Sequence, residues 1–436
     1  MSIHQPIDKY QLNPDQKKAA EEFLQFLFSP EKEFIISGPA GVGKTYLMNY
    51  IIDNTMPRYH EMCQLIGVKA EFTQIVMTAT TNKAADVLTQ SVKRPASTVH
   101  QFFNLTVRND YKTGKTSLKQ TNRWKIHQNT IIFVDEASMI DSDLWRMLHD
   151  GSHNCKLVYV GDRHQLAPVM EDLSPVYKHN TSMVELLQPM RNSSQPALMN
   201  ICSQLRESVN TGEFKPIQIV PGVIDLLDDR QMQSEITRYF HKQTHDARIL
   251  AFTNARVMEY NNYIRNMRSL PTSFQTGEFL INNGVYHYSK GTLSAESEVE
   301  VMFNHGHSKM LLEDDIELDI ETLDLKDSLG NYLARVPFPT NREHFDQLSK
   351  YYAKQKDWTA VFHLRDNFAD LRPRDASTVH KSQGSTYDTV FVDVGNISRC
   401  NIPSQAARML YVALSRAKSR VFLYGDLIQK YGGLLH

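Results

Sequence analysis

Cysteine is scarce in this chain: four residues in 436, at Cys63, Cys155, Cys202 and Cys400, with no Cys-x-x-Cys pair. That scarcity argues against a disulfide framework or a thiolate zinc site, and it fits a reducing compartment. A surplus of one charge is also missing. Lys and Arg number 48 against 49 Asp and Glu, a formal net charge of −1, so a globally basic polyanion binder is not indicated and any such partner must be held by local patches. No apolar run approaches the roughly 20 residues that span a bilayer. The opening MSIHQPIDKYQLNPDQ lacks the basic-then-apolar layout of a secretory signal. These absences predict a cytoplasmic protein without a membrane partner.

What is present is an alternation of apolar β-rich runs and helical patterns. EFIISG (33–38), QIVMTAT (74–80), TIIFVDE (130–136) and CKLVYVGD (155–162) read as buried strands, each ending in small or polar residues. That pattern suits a parallel sheet whose loops carry function at the strand ends. ARILAFTN (247–254), DTVFVDVG (388–395) and RVFLYGD (420–426) form a second set. Between the first two of these lies a stretch of another texture, roughly 270–375, where SEVEVMF and DIELDIETLDL alternate apolar and polar residues as a half-exposed antiparallel sheet does. It ends in a helical pattern, NREHFDQLSKYYAKQKDW. The length suits about two to four domains. The reading is two α/β domains, with a mostly β domain inserted in the second and a small hairpin in the first, its turn at Lys112–Lys115.

The pentapeptide ASTVH occurs twice, at 96–100 and 376–380. A shared pentapeptide in a chain this long has chance odds of roughly a few per cent. The repeat therefore raises the question of one physical job done in two places.

GPAGVGKT (38–45) is a full G-x-x-x-x-G-K-T between a strand and a helical pattern, the context that makes the motif specific. Its backbone, Gly38, Pro39, Ala40, Gly41, Val42 and Gly43, can turn N–H groups inward around phosphates at a helix N-terminus. Lys44 would neutralise phosphate charge and Thr45 would ligate Mg²⁺. In IIFVDEASM, Asp135 would hold Mg²⁺ and Glu136 would orient and deprotonate an attacking water. Gln165, at the end of a third strand, is placed to sense the γ-phosphate. The residues thus predict use of ATP with Mg²⁺.

Taken together the motifs resemble superfamily 1 helicases, specifically the 1B branch of RecD and the phage Dda helicase. The matches run in order along nearly the whole chain: LNPDQKKA (12–19), GPAGVGKT, TATTNKAADVL (78–88), ASTVH, FVDEASMID (133–141), GDRHQLAPV (161–169), LLQPMRNS (186–193), AFTN (251–254), ASTVHKSQG (376–384) and YVALSRAK (411–418). The resemblance implies two RecA-like P-loop domains, the first over 1–102 and 127–185, the second over 186–269 and 376–436. It implies a pin hairpin at 103–126 and an SH3-like β domain at 270–375, with an INNG turn at 281–284 and an acidic stretch, Glu313 to Asp315, facing solvent. Tyr111 is the first candidate to meet a DNA junction, with Leu118 and Trp124 as further pin residues.

Other roles also follow from the resemblance. Gln16 matches the family's adenine-reading glutamine. Arg191 and Arg416 match arginines that act at the γ-phosphate, and Gln383 and Gly384 lie near the same nucleotide. Thr80, Asn82, Lys83, Thr98, His100, Thr253, Asn254, Thr378, His380 and Lys381 match strand-binding positions; taken singly, each Thr or Asn reads better as a helix cap. The function implied is an ATP-driven translocase and helicase on single-stranded DNA. It would move 5′ to 3′ and open duplex junctions in replication, recombination or repair, as a monomer, with a single-strand-binding protein as a further partner. If the chain is phage-encoded, the compartment is the host cytoplasm. Two other readings stay open: an ATP-switched nucleic-acid-binding or remodelling protein that does not unwind, and an RNA-directed motor of the same superfamily. No further acidic cluster has metal-site spacing, which disfavours a nuclease.

Overall fold

The computed structural model describes residues 10–168, 171–179, 181–188, 195–288, 291–312, 316–328 and 330–435. They form two compact units, one of residues 1–106 and 118–213, the other of 107–117 and 214–436.

In the first unit six strands form a parallel sheet, in the order Ser182–Glu185, Glu33–Ser37, Lys156–Gly161, Thr130–Asp135, Gln74–Ala79, Ala96–Thr98. The central strands carry long apolar runs because both faces are covered. Phe34, Ile36, Phe133, Val158 and Val160 enter one core, whereas Ile35, Ile132, Val134, Leu157 and Tyr159 enter the other. Alternation along each strand divides one hydrophobic run between two layers. The helix Pro14–Phe28 covers the first face, its Phe23 stacking on Phe133 at 6.0 Å and its Phe26 on Phe34 at 5.2 Å. Each such buried ring contributes about 1.5–3 kcal/mol. Lys156, on a central strand, is buried, and its ammonium donates to the carbonyls of Phe26, Ser29 and Glu31, closing the end of that helix.

One boundary differs from expectation. The helix Pro196–Thr211, assigned by resemblance to the second motor domain, belongs to the first unit. Polar contacts fix it there: Arg206 donates to Glu185 at 2.6 Å, and Asn210 bonds His164 at 2.9 Å.

The second unit has its own parallel sheet, ordered Ile224–Leu227, Ala417–Tyr424, Tyr387–Asp393, Ala247–Ala251, Ala376–Thr378. The inserted stretch is a five-stranded antiparallel sheet, ordered Tyr332–Pro339, Glu317–Asp327, Glu298–Leu311, Phe279–Asn282, Leu371–Pro373. Its longest strands change core midway: Leu323 and Leu325 lie in the sheet's own core, whereas Leu318 and Ile320 pack with Phe345, Leu348 and Leu364 of the helices Arg342–Lys354 and Trp358–Asn367. Register shifts between Val301 and Phe303 and between Asn304 and His307 mark the change. Where the chain enters and leaves the insertion, buried ion pairs tie it down. Arg265 pairs with Glu278, Arg268 grips Asp375 with two bonds of 2.7 Å, and Arg374 pairs with Glu298 at 2.9 Å. The acidic stretch 313–315 lies outside the described residues.

The small hairpin has the strands Leu105–Asn109 and Thr116–Gln120. Its turn is closed by Asp110, whose carbonyl accepts from Gly114 N at 2.8 Å and whose carboxylate accepts from the Thr113 hydroxyl at 2.6 Å. Gly114 has φ +70 and lies against the Trp358 indole, where a Cβ would stand 2.4 Å from ring carbon. Tyr111 sets its ring edge-on to Phe362 at 5.2 Å, and Asn109 bonds Asp366 at 2.9 Å.

Candidate nucleotide and nucleic-acid site

The loop Gly38–Gly43 leaves the strand Glu33–Ser37 and delivers the helix Lys44–Tyr50. Gly41 and Gly43 have φ +85 and +79, left-handed values that let the chain curl back on itself. Lys44 Nζ donates to the carbonyls of Gly38 at 2.7 Å and Pro39 at 3.0 Å, so its charge sits inside the curl. Thr45 is the second residue of the helix. Gln16 is fully buried and committed: its Oε1 accepts from Asn13 N at 3.1 Å in a capping box, and its Nε2 donates to Val42 O at 3.2 Å and Gly43 O at 3.4 Å. Here it braces the phosphate loop.

Asp135 ends the central strand Thr130–Asp135, and its Oδ1 accepts from Glu136 N at 2.9 Å. Burial, and next the neighbouring Glu136 carboxylate, push the Asp135 carboxyl up to about 7, with Lys44 opposing them. A half-buried carboxylate beside a second one is chemically suited to a divalent cation, which removes both penalties. Glu136 has φ 55, a left-handed value that is costly for a glutamate and is typical of residues held for function. Gln165 is buried and its N–H donates to Asp162 O at 3.1 Å. Arg191 lies outside the described residues. The loop and the two carboxylates thus fit a nucleotide triphosphate with Mg²⁺.

Beside this site the same sheet presents strand ends of another character. Thr80 follows the strand Gln74–Ala79, and Asn82 and Lys83 open the helix Asn82–Val92, capped by Thr81, which accepts from Ala84 N at 3.2 Å. Thr98 ends its edge strand and caps a short helix, accepting from Gln101 N at 3.1 Å. Burial lowers the pKa of His100, opposed by Asp141. Leu118 and Trp124 do not stand at a hairpin tip: both pack on the first unit's core, Trp124 lying 6.0 Å from Phe103, because that apolar base needs covering. Tyr111 is 56% exposed and remains the aromatic near the turn.

The second unit repeats the arrangement. Thr253 caps the helix Asn254–Met267, accepting from Arg256 N at 3.3 Å, and Thr378 accepts from Lys381 N at 3.4 Å. Burial lowers the pKa of His380. Lys381 is engaged, its ammonium pairing with Glu296 at 2.9 Å and with Asn283 of the INNG turn. Arg416 is buried, donating to the carbonyls of Val412 at 3.1 Å and Ser385 at 3.2 Å, which fastens the loop of Gln383 and Gly384. One participant had no sequence signal: Asn396 Oδ1 accepts from Phe252 N at 2.8 Å and Thr253 N at 2.9 Å, fixing the Thr253 turn.

Counted from the ASTVH edge, Asp393 in this sheet ends the strand equivalent to that of Asp135. It is already satisfied by Arg256 Nε, the Tyr260 hydroxyl and Asn396 N, each at 2.7 Å. A guanidinium therefore faces the carboxylate at this position of the second sheet.

Known proteins resemble the chain along most of its length. Residues 11–218 match a family model described as an AAA domain, and 374–424 match the UvrD-like helicase C-terminal domain. The chain is 23% identical over 454 residues to the ATP-dependent DNA helicase dda of Enterobacteria phage T4, covering 94% of this chain and 98% of that protein. It is 22% identical to an uncharacterized protein of Acanthamoeba polyphaga mimivirus, over 94% and 99% of the two chains. A solved structure of Pif1 helicase from Bacteroides, in complex with ADP-AlF3 and ssDNA, superposes with a TM-score of 0.51 at 15% identity, over 98% of this chain and 95% of that one. This last likeness shows a common fold.

Proposed function

Since this chain belongs to the superfamily 1B helicases of the Dda and Pif1-like group, we propose how its residues carry the work of an ATP-dependent DNA helicase. The observation that carries the reading is the adjacency of phosphate loop and carboxylates: the strands Glu33–Ser37 and Thr130–Asp135 both run parallel to Lys156–Gly161, so the loop and Asp135 leave the same edge of one sheet. Lys44 and the loop N–H groups hold the β- and γ-phosphates. Glu136 takes a proton from water as the water attacks the γ-phosphorus and the bond to the β-phosphate oxygen breaks. Thr45 and Asp135 hold Mg²⁺, which when bound neutralises phosphate charge. Gln165 orients the water, and Arg191 and Arg416 supply cations for the transition state.

Strand binding falls to Thr80, Asn82, Lys83, Thr98 and His100 on one unit and to Thr253, Asn254, Thr378, His380 and Lys381 on the other. Short hydroxyl, amide and imidazole groups hold a backbone without reading bases, which translocation requires. Two units with the same grip, engaged alternately under ATP control, move a strand in one direction. We assign that direction as 5′ to 3′, with a monomer as the working form and the 103–126 hairpin as the separating pin, Tyr111 leading. The inserted β sheet is read as the SH3-like domain of the group. The test is polarity: two partial duplexes, one with a 5′ tail and one with a 3′ tail, are unwound side by side. Displacement from the 5′-tailed duplex alone is expected; displacement from the 3′-tailed one alone reverses the assignment.

A further inference from the structure

One hydroxyl near the catalytic carboxylates has no task in this scheme. Tyr177 ends the single turn Pro175–Tyr177 in the first unit. That turn is fastened to the residues directly after Glu136: the Ser174 hydroxyl donates to Ile140 O at 2.7 Å and Ala137 O at 3.2 Å. At Gly161, where the strand Lys156–Gly161 ends, an added Cβ would stand 2.8 Å from the Tyr177 oxygen and 3.1 Å from Ala137 N. Gly161, the N–H that follows Glu136, and the Tyr177 hydroxyl therefore share one small space. The hydroxyl oxygen is buried there and has no hydrogen-bond partner among the described residues. Burial, then the charges of Asp162 and Glu136, raise its pKa, so it stays a proton donor.

A buried hydroxyl without a partner is costly, and phenylalanine would fill the same volume without that cost. The donor lies beside the N–H of Ala137, the residue that directly follows Glu136, and Glu136 is itself held in a left-handed backbone conformation. We propose that Tyr177 is a positioning residue for Glu136: with nucleotide bound, its hydroxyl donates a hydrogen bond to the Glu136 carboxylate and aims it at the attacking water. The inference rests on Glu136 being the group that activates that water.

Tyr177→Phe tests it in the full-length protein. The expected result is a roughly tenfold fall in kcat for DNA-stimulated ATP hydrolysis, the loss of one oriented hydrogen bond in the transition state. KM for ATP and single-strand affinity should stay within about twofold. Because the hydroxyl is unpaired in the free protein, Tm should hold or rise. A kcat equal to wild type, or a kcat that falls only together with Tm, overturns the proposal. Glu136→Gln is measured alongside. If it abolishes hydrolysis while Tyr177→Phe is normal, only the Tyr177 assignment fails; if it keeps full hydrolysis, the Glu136 reading fails and takes Tyr177 with it.

Discussion

Thr98 and Thr378 occupy the same place in two different sheets. Thr98 is in register with Ala79 and Thr378 with Ala251, each at the end of an edge strand. Each hydroxyl then accepts from the N–H three residues on, in Gln101 and in Lys381. The repeated ASTVH thus builds one strand-to-turn joint twice. Thr98→Ala and Thr378→Ala should each weaken binding of a fluorescent single-stranded oligonucleotide by roughly fivefold, the scale of one lost cap or phosphate contact. Nucleotide affinity should not change. Anisotropy titrations compare the two, and equal wild-type affinity in both would return the repeat to coincidence.

Lys381 meets Glu296 before it meets any phosphate. Glu296→Gln removes the competing charge, so single-strand affinity is expected to rise several-fold at low salt. Lys381→Ala should weaken binding and reduce the slope of log affinity against log salt by about 1. Titrations at several salt concentrations read both effects.

The pair His149–Glu33, at 3.0 Å, gives the first unit a pH-dependent component of stability. Burial disfavours the charged form of each, but their 3.0 Å ion pair prevails, raising the pKa of His149 and lowering that of Glu33. The histidine's contribution is full below its ordinary value of 6.5 and fades as pH rises through the higher folded value. The glutamate's is full above 4.5 and fades as pH falls through its lower folded value. Glu33→Gln should therefore cost most between those limits, about 1–2 kcal/mol, and less at pH 8. Thermal melts across pH check this; a pH-independent loss would contradict it.

The strands, the phosphate loop and the Asp135–Glu136 pair were legible in the sequence because each depends on local pattern: apolar runs, spaced glycines, and acids at a strand end. The packing of the helix Pro196–Thr211 with the first unit has no such pattern, because Arg206, Asn210, Glu185 and His164 meet only in three dimensions. The contact of Trp124 with Phe103 is likewise not legible, since nothing in the neighbours of Trp124 announces that Phe103 lies beneath it. Asn396 and Tyr177 carried no motif at all. Their importance lies in which backbone groups they approach, and a one-dimensional pattern does not contain that.

Residues 108–120 form the outer part of the hairpin, where Tyr111 meets Phe362 and Gly114 meets Trp358. Replacing them by a short Gly-Ser turn should abolish strand separation while DNA-stimulated ATP hydrolysis persists within about threefold. Unwinding at the wild-type rate would remove the pin assignment.

The central claim is that hydrolysis at the Lys44 loop drives strand separation. Its most direct test is strand displacement from a 5′-tailed duplex, followed together with phosphate release, for wild type and Lys44→Ala. Wild type should do both only with ATP and Mg²⁺. Lys44→Ala should lose both, by a factor of about 100 or more, while still binding single-stranded DNA. DNA-stimulated turnover or unwinding at the wild-type rate in Lys44→Ala would contradict the account.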